Sequence, residues 1–518
     1  MESTNGTIAG IIREWSAKTP DAPCLSVRGR TQSWREVFDR SSRIGAGLVG
    51  AGVGPQDRVL YLGKNGPEYF EILFGAGMAG AVCTAVNWRL AAPEIRFVVN
   101  DSQAKVLIIG HEFLCQLDRI RGELSTVETI VVIGGDGDSG YETWLAWQTP
   151  TDPEVPVADD DTALQIYTSG TTGRPKGVMF SSAAVRRTFA MTEATRITPE
   201  SVVMVAMPVF HASGASQGIM ALAAGAHCVI AAEAGPAVLL SLVERYQVTM
   251  TTLAPVVLRM ILVDPDNRRF DVSSLDVIAY AGSPISPELL KASLARFGCR
   301  FLQVYGMTET IFATALLPED HDDQRHPERL ESAGRPLPGV SVRIADPLTG
   351  ETLADGELGE VWVKSPTGMH GYWHLPDETA AALTPEGFIR TGDGGYFRDG
   401  YLYLRDRIKD MIVTGGENVY PTEVERVLLT HPAVVDAAVI GVPSVKWGET
   451  VKAVVVCAGS APGPTASVLI AYTKQHLARY KCPTSVEFVG ELPRNPSGKI
   501  LKRVLRETYW QGIERRIG

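Results

Sequence analysis

Residues 167–178, Tyr-Thr-Ser-Gly-Thr-Thr-Gly-Arg-Pro-Lys-Gly-Val, set the terms for the rest of this chain. They follow 162–167 (Thr-Ala-Leu-Gln-Ile-Tyr), a short apolar run that reads as a strand. Thr168, Ser169, Thr171 and Thr172 bring hydroxyls, Gly170, Gly173 and Gly177 bring backbone freedom, and Lys176 brings a mobile positive charge. Glycines let backbone N–H groups turn toward an anion at little steric cost. Such a loop suits a polyphosphate. It is not a Walker A loop, which needs Gly-Lys-Ser/Thr opening a helix; here Pro175 precedes the lysine and Gly177 follows it.

At these residues the chain resembles the phosphate loop of the adenylate-forming enzymes: acyl-CoA synthetases, peptide-synthetase adenylation domains and luciferases. Further motifs of that family follow in its order, and the resemblance covers nearly the whole chain.

At 518 residues the chain exceeds what one core supports, so two or more domains are expected. A net charge of −10 argues against nucleic-acid binding as the main business. The seven cysteines are scattered and lack a Cys-x-x-Cys pair, which points to reduced thiols and a cytoplasmic setting. The N-terminus, Met-Glu-Ser-Thr-Asn-Gly, shows no secretory signal. The longest apolar run, 72–86, is too short for a bilayer span and is expected to be a buried helix, so no transmembrane segment is predicted.

Helical spacing predicts helices over 7–17, 34–49 and 67–78, and strands over 58–62, 82–86, 105–110 and 129–134. The same alternation recurs through strands at 202–208, 227–231, 248–253, 277–281 and 300–305. Short continuous apolar strands alternating with helices predict parallel sheets covered by helices on both faces. After Gly334, short strands at 340–345, 360–364, 387–391 and 401–404 suggest a small antiparallel or barrel-like unit. Helices over 421–430 and 466–480, with strands over 434–440 and 451–456, complete the chain. The expected fold class is α/β: a large multi-subdomain N-terminal body (1–406) with parallel-sheet layers and a small β-rich unit, then a mobile α+β C-terminal lid (407–518).

Competing motifs carry less. Gly135-Asp-Gly137-Asp-Ser-Gly140 matches G-x-G-x-x-G, but Asp136 and Asp138 would repel a pyrophosphate, so an acidic surface turn is expected. Gly214-Ala-Ser216-Gln-Gly218 matches the nucleophile elbow and would make Ser216 the nucleophile of a serine hydrolase. The five residues between strand and serine are too many for a tight elbow, and that reading leaves 167–178 unexplained. His370 and His374 are four apart, but Gly371 and Pro376 argue against a shared helical face, so polar loop residues are expected.

Activating a carboxylate with ATP requires a phosphate cradle, a held Mg²⁺, a grip on the nucleoside and a cation at the α-phosphate. In Gln303-Val-Tyr305-Gly306-Met-Thr308-Glu309 a hydroxyl and a carboxylate stand at a strand end, chemistry suited to Mg²⁺ and phosphate oxygens. The segment is similar to the family motif whose glutamate binds the metal, which assigns Thr308 to catalysis, Glu309 to catalysis and metal, and Tyr305 and Gly306 to the nucleotide. Gly282-Ser283-Pro284 resembles the family segment that lines adenine and acyl pocket. Thr391-Gly392-Asp393 resembles the family's T-G-D, whose aspartate accepts from both ribose hydroxyls. By the same resemblance Arg407 helps hold the ribose, Lys409 is the lid's hinge, Gly415 and Gly416 admit the pantetheine arm of coenzyme A, and Lys499 is the catalytic lysine. His211, in Met207-Pro-Val-Phe-His, resembles the family's aromatic-His motif between acyl pocket and thiol channel; a satisfied core histidine is the equal alternative.

The resemblance implies an ATP-dependent carboxylate–CoA ligase that forms acyl-AMP and pyrophosphate, then acyl-CoA and AMP. Its ligands would be ATP, Mg²⁺, coenzyme A and a small-molecule carboxylic acid. The pocket wall (His211, Ala212, Gly214, residues 279–282, Gly306, Met307) is small and uncharged, which favours a fatty or aryl monocarboxylate over an amino acid. The alternatives are a free-standing adenylation enzyme that passes the acyl group to another acceptor, a luciferase-like oxygenase, a binding-only relative, and the serine hydrolase at Ser216. The chain's end at Gly518 without a carrier domain favours the CoA ligase, and the oligomeric state, a homodimer included, is open.

Overall fold

The computed structural model describes residues 6–168, 174–190, 195–283, 285–321, 325–407, 410–414, 417–459, 463–494 and 500–511, except the side chains of 190, 406, 407, 417 and 418. The chain forms two compact units, Met1–Ser341 with Lys364–Ile389, and Val342–Val363 with Arg390–Gly518.

Two sheets build the first unit. In one, among the described residues, seven strands run in the order Gly371–Tyr372, Lys176–Ser181, Thr162–Thr168, Val82–Ala85, Arg58–Leu62, Val106–Gly110, Thr129–Ile133. Neighbours from Thr162–Thr168 to Thr129–Ile133 pair parallel, while Lys176–Ser181 returns antiparallel and Gly371–Tyr372 pairs antiparallel with it. The central strands Arg58–Leu62, Val82–Ala85 and Val106–Gly110 are buried along their whole length, as strands covered on both faces must be.

The other sheet has nine strands among the described residues. Its parallel centre runs Arg300–Tyr305, Val277–Ala281, Met250–Leu253, Val202–Val205, His227–Ile230, Pro23–Val27, and short antiparallel strands close both edges. Helices between strands supply the covering layers. Trp34–Gly50 starts with a capping box, the Glu36 amide donating to Ser33 Oγ at 3.3 Å and the Ser33 amide to Glu36 Oε2 at 2.7 Å. Pro67 opens the next helix, Pro67–Met78, at a position where its missing N–H costs nothing.

The run 72–86 is not one buried helix but divides as the separate readings of a helix over 67–78 and a strand over 82–86 expected. Its helix stops at Met78, Gly80 turns the chain at φ +67, and Val82–Ala85 is a strand. The glycines have a packing reason: a Cβ on Gly75 would stand 2.6 Å from Ile44 on Trp34–Gly50, so the two helices need glycine to close together. No helix among the described residues is long and apolar enough to cross a membrane.

In the second unit, Ser341–Ala345, Gly359–Lys364, Ile389–Arg398 and Tyr401–Arg407 form a four-stranded sheet, in which the last two pair antiparallel, where a small antiparallel or barrel-like unit is expected. A second sheet there joins Ile412–Thr414, Glu417–Val419, Val434–Ser444, Gly448–Cys457 and Ser485–Phe488. Helices Pro421–Leu429 and Ala466–His476 deliver Val424, Leu428 and Leu469 to a core with Ile412, Val439, Val451 and Val455. The last of these helices ends at His476, earlier than the expected 480, and a short 3₁₀ turn, Arg479–Lys481, follows.

Candidate functional site

The carboxyl ends of parallel strands carry several of the residues singled out in the sequence, Thr168, Gly282, Ser283 and Tyr305 among them. Thr162–Thr168 runs toward the phosphate loop, and Lys176 begins the returning strand directly opposite Thr168. The loop is therefore the connection of an antiparallel hairpin on a parallel sheet. Ser169, Gly170, Thr171 and Thr172 lie outside the described residues, as do Pro284, Lys409, Gly415, Gly416 and Lys499. The hairpin is anchored from below. The Tyr167 hydroxyl donates to Asp101 Oδ2 at 2.6 Å, and the Trp373 amide donates to the Gly177 carbonyl at 2.7 Å.

Glu309 sits in a tight turn after strand Arg300–Tyr305. The Met307 amide donates to Thr310 Oγ1 at 3.1 Å, and the Thr310 and Ile311 amides return to the Met307 carbonyl. Ile311 adopts φ +56, a left-handed conformation that a β-branched residue rarely takes. Gly306 allows the turn to close, since a Cβ there would meet the Ile311 carbonyl oxygen at 2.2 Å. The Glu309 carboxylate is 7% exposed and accepts from the Tyr372 hydroxyl at 2.8 Å. The Tyr372 ring faces Lys176, whose Nζ lies 5.0 Å from its centroid. Burial, then the Glu309 charge, pushes the Tyr372 phenol well above its ordinary pKa, so it remains a donor. Lys176, Tyr372 and Glu309 thus form one continuous group, with Thr308 adjoining it in the turn.

On the nine-stranded sheet, Val277–Ala281 and Arg300–Tyr305 are parallel neighbours with Ala281 opposite Val304. Their ends present Gly282, at φ +88, and Ser283, both exposed, beside Tyr305 and Gly306. His211 precedes helix Ala212–Ala223, and its ring centroid lies 4.6 Å from that of Phe210 with the rings tilted by 51°. Its Nε2 is covered and has no partner, and burial, then the Arg89 charge, lowers its pKa to about 4. Burial thus favours the neutral imidazole, and its Nε2 has no protein partner of the kind a satisfied core histidine would have.

Asp393 and Arg407 belong to the second unit, where they are directly opposite each other on antiparallel strands. The Asp393 amide donates to Thr391 Oγ1 at 3.0 Å and the Gly392 amide to Glu360 Oε1 at 2.9 Å, which holds the strand at Asp393, where its register shifts.

Ser216 is not at an elbow. It lies inside helix Ala212–Ala223 and is 5% exposed, so its hydroxyl lacks the strand-to-helix turn and open face that a hydrolase nucleophile needs. The Gly135–Gly140 segment is the exposed turn expected from its aspartates, with positive φ at Gly137. His370 precedes strand Gly371–Tyr372 and its Nε2 meets Thr162 Oγ1 at 3.3 Å; His374 is in the following turn. Tyr372, between the two histidines, is a site residue that the sequence patterns do not mark. The available signal was an aromatic pair, Tyr372-Trp373, inside an otherwise polar loop.

With this geometry in view, comparison with known proteins is direct. Residues 12–373 match the model of the AMP-binding enzyme family, and 423–499 match that of the AMP-binding enzyme C-terminal domain. The fatty acid–[acyl-carrier-protein] ligase ScoC of Streptomyces coeruleorubidus is 39% identical over 96% of this chain and 95% of its own. Feruloyl-CoA synthase of an Amycolatopsis species is 37% identical over 95% of this chain and 96% of its own. The crystal structure of ATP-bound MatB from Rhodopseudomonas palustris superposes with a TM-score of 0.88 at 29% identity, covering 97% of this chain and 99% of that one. Fold, motif order and relatives agree, and the chain belongs to the AMP-binding enzyme family, as an adenylate-forming enzyme of the acyl-CoA synthetase type.

Proposed function

We propose that this enzyme activates a fatty or aryl monocarboxylic acid with ATP and transfers the acyl group to the thiol of coenzyme A. The observation that carries the reading is the group Lys176, Tyr372 and Glu309 beside the hydroxyl-rich hairpin connection. In the first step a carboxylate oxygen attacks the α-phosphorus of ATP and the bond to pyrophosphate breaks, leaving acyl-AMP. The phosphate-loop residues and Lys176 hold the triphosphate, Lys499 meets the charge that builds at the α-phosphate, and Gly282, Ser283, Tyr305 and Gly306 hold the base side. Asp393, with both oxygens able to accept, and Arg407 hold the ribose.

The donor chemistry fits Mg²⁺. Glu309 offers one carboxylate, already oriented by a phenol, and one or two carboxylates with substrate phosphates are the donors that such an ion would need. Glu309 and Thr308 would hold the ion, and bound there it supplies neutralisation of phosphate charge. In the second step residues 407–518 act as a lid turning about Lys409, withdrawing Lys499 and bringing Gly415 and Gly416 to the thiol. The thiolate sulfur attacks the acyl carbonyl and AMP leaves. His211 stands at the wall of the acyl pocket by its resemblance to the family's aromatic-His motif, and there its neutral imidazole adds no charge to the pocket. The scattered cysteines, all free, suit a cytoplasmic setting.

A second acceptor has support. ScoC acts on an acyl-carrier protein, and residues 407–518 carry more Lys and Arg than Asp and Glu although the whole chain is at −10. A basic lid suits the phosphates of coenzyme A and equally an acidic carrier protein.

The test is pyrophosphate release with a panel of fatty, aryl and amino acids, followed by mass spectrometry of acyl-adenylates and by addition of coenzyme A or a holo carrier protein. Release with a monocarboxylate and consumption of coenzyme A are expected. No pyrophosphate with any acid would refute the reading, and turnover only on the carrier protein would favour the second acceptor.

A further inference from the structure

The segment 365–373, which carries Tyr372, joins two parts of the site that are far apart in sequence. On one side it is stitched to the phosphate-loop hairpin. Gly371 pairs with Met179 and Tyr372 with Val178, the His370 amide donates to the Met179 carbonyl at 3.1 Å, and the Trp373 amide to the Gly177 carbonyl at 2.7 Å. On the other side it is stitched to the glutamate turn. The Met369 amide donates to the Glu309 carbonyl at 2.8 Å, the Thr367 hydroxyl to the Thr310 carbonyl at 3.0 Å, and the Tyr372 hydroxyl to Glu309 Oε1 at 2.8 Å.

Tyr372 touches both parts through its side chain. Its hydroxyl holds the carboxylate while its ring faces the Lys176 ammonium. The side chain is itself fixed: Tyr372 is 8% exposed, and its amide donates to Thr379 Oγ1 at 2.9 Å. A phenol is well matched to this place. Its O–H satisfies an anion and its π-face attracts a cation, whereas a charged side chain would favour one neighbour and repel the other. A carboxylate offers about four lone-pair sites, so accepting from the phenol leaves capacity for a metal ion. The glutamate turn also needs holding, since Ile311 sits at φ +56 and strained turns persist only where their surroundings over-determine them.

We infer that Tyr372 is a positioning residue that sets the Glu309 carboxylate and the Lys176 ammonium in register for one metal-bound triphosphate. The inference rests on the proposed metal role of Glu309. Tyr372 itself touches neither the reacting carboxylate nor the α-phosphorus; it acts through the two residues that flank it.

The experiment is a Mn²⁺ titration followed by electron paramagnetic resonance on the full chain with α,β-methylene-ATP, comparing wild type, Tyr372→Phe, Tyr372→Leu and Glu309→Gln. Melting curves establish which variants are folded. Tyr372→Phe is expected to bind Mn²⁺ about ten- to a hundredfold more weakly, the range found when a residue that orients a metal ligand is lost. Its KM for ATP should rise, while the KM for the acid and the rate of thioester formation from preformed acyl-adenylate stay at wild-type values. A merely structural role would instead depress both half-reactions together. Tyr372→Leu should in addition weaken binding of the nucleotide analogue in the presence of EDTA, because the face that meets Lys176 goes with the ring. Wild-type Mn²⁺ affinity in any folded variant lacking the hydroxyl overturns the inference if Glu309→Gln has lost it. Wild-type Mn²⁺ affinity in Glu309→Gln overturns the metal reading of Glu309 itself.

Discussion

The Tyr167 hydroxyl donates to Asp101 Oδ2 at 2.6 Å, and the Asp101 carbonyl accepts from the Trp373 indole N–H at 2.9 Å. Strand Thr162–Thr168 and the 371–374 segment are thereby fastened to the same residue at the end of helix Ala92–Ser102. Burial already raises the Asp101 pKa, and the tyrosine hydrogen bond opposes that rise. Tyr167→Phe leaves the carboxylate without this donor and should cost about 1–3 kcal/mol of stability. The melting temperature should fall, and ATP-analogue affinity by calorimetry should weaken while the KM for the acid does not change. Unchanged nucleotide affinity would mean that the phosphate loop keeps its shape without this anchor.

Glycine at 306 is a steric requirement, which Gly400 in the second unit puts in relief. A Cβ at Gly306 collides with backbone, the Ile311 carbonyl oxygen at 2.2 Å, whereas a Cβ at Gly400 meets nothing within 4 Å and only its φ of +78 is unfavourable. Gly306→Ala should cost about 1–3 kcal/mol through overpacking and displace the turn that carries Glu309. Gly400→Ala should cost about 1–2 kcal/mol through left-handed strain alone. Pyrophosphate release should therefore collapse in Gly306→Ala and persist in Gly400→Ala. Equal activity of the two variants would separate the turn's geometry from catalysis.

These positions also mark what a sequence can reveal. The phosphate loop is legible because its donors are contiguous and its flanking strand is apolar throughout. Helix Pro67–Met78 is legible from its proline at N1 and from its period, but the run beyond it is equally apolar as helix or strand. The turn at Gly80 divides it, as the separate helix over 67–78 and strand over 82–86 expected, while the apolar content of 72–86 taken alone suggests a single helix. Which strands pair is a long-range matter: Gly371–Tyr372 docks beside Lys176–Ser181 across nearly two hundred intervening residues. Tyr372 was hidden for that reason. Nothing near it in sequence tells that its hydroxyl will meet Glu309 and its ring Lys176. Ser216 shows the opposite error, a local pattern whose residues are right and whose backbone is a helix.

Substitution of Lys499 tests whether the two half-reactions need different positions of the lid. If it serves the α-phosphate only while the lid is in its first position, Lys499→Ala should slow adenylation by at least about a hundredfold, the scale for losing one charge-stabilising donor. Thioester formation from preformed acyl-adenylate should be largely spared. Rapid-quench measurement of each half-reaction decides the matter, and equal loss in both would count against a rotating lid.

The pH dependence of stability should carry the mark of buried histidines. Burial lowers the pKa of His211 to about 4, from 6.5, with Arg89 adding to the effect; it also lowers those of His227, His321 and His370. A base whose folded pKa lies below its unfolded value binds protons more readily in the unfolded chain. The stability it contributes is complete above the unfolded value of 6.5 and is lost as pH falls toward about 4. For His211 this difference amounts to something on the order of 3 kcal/mol. Denaturant unfolding should therefore show a steep loss between pH 6.5 and 4, and His211→Gln should flatten part of that slope. Catalysis should behave otherwise. Because the imidazole stays neutral above pH 6, kcat/KM for the acid should show no inflection from His211 near neutrality. An inflection close to 6.5 that disappears in His211→Gln would mean that this ring is open to water and titrates freely.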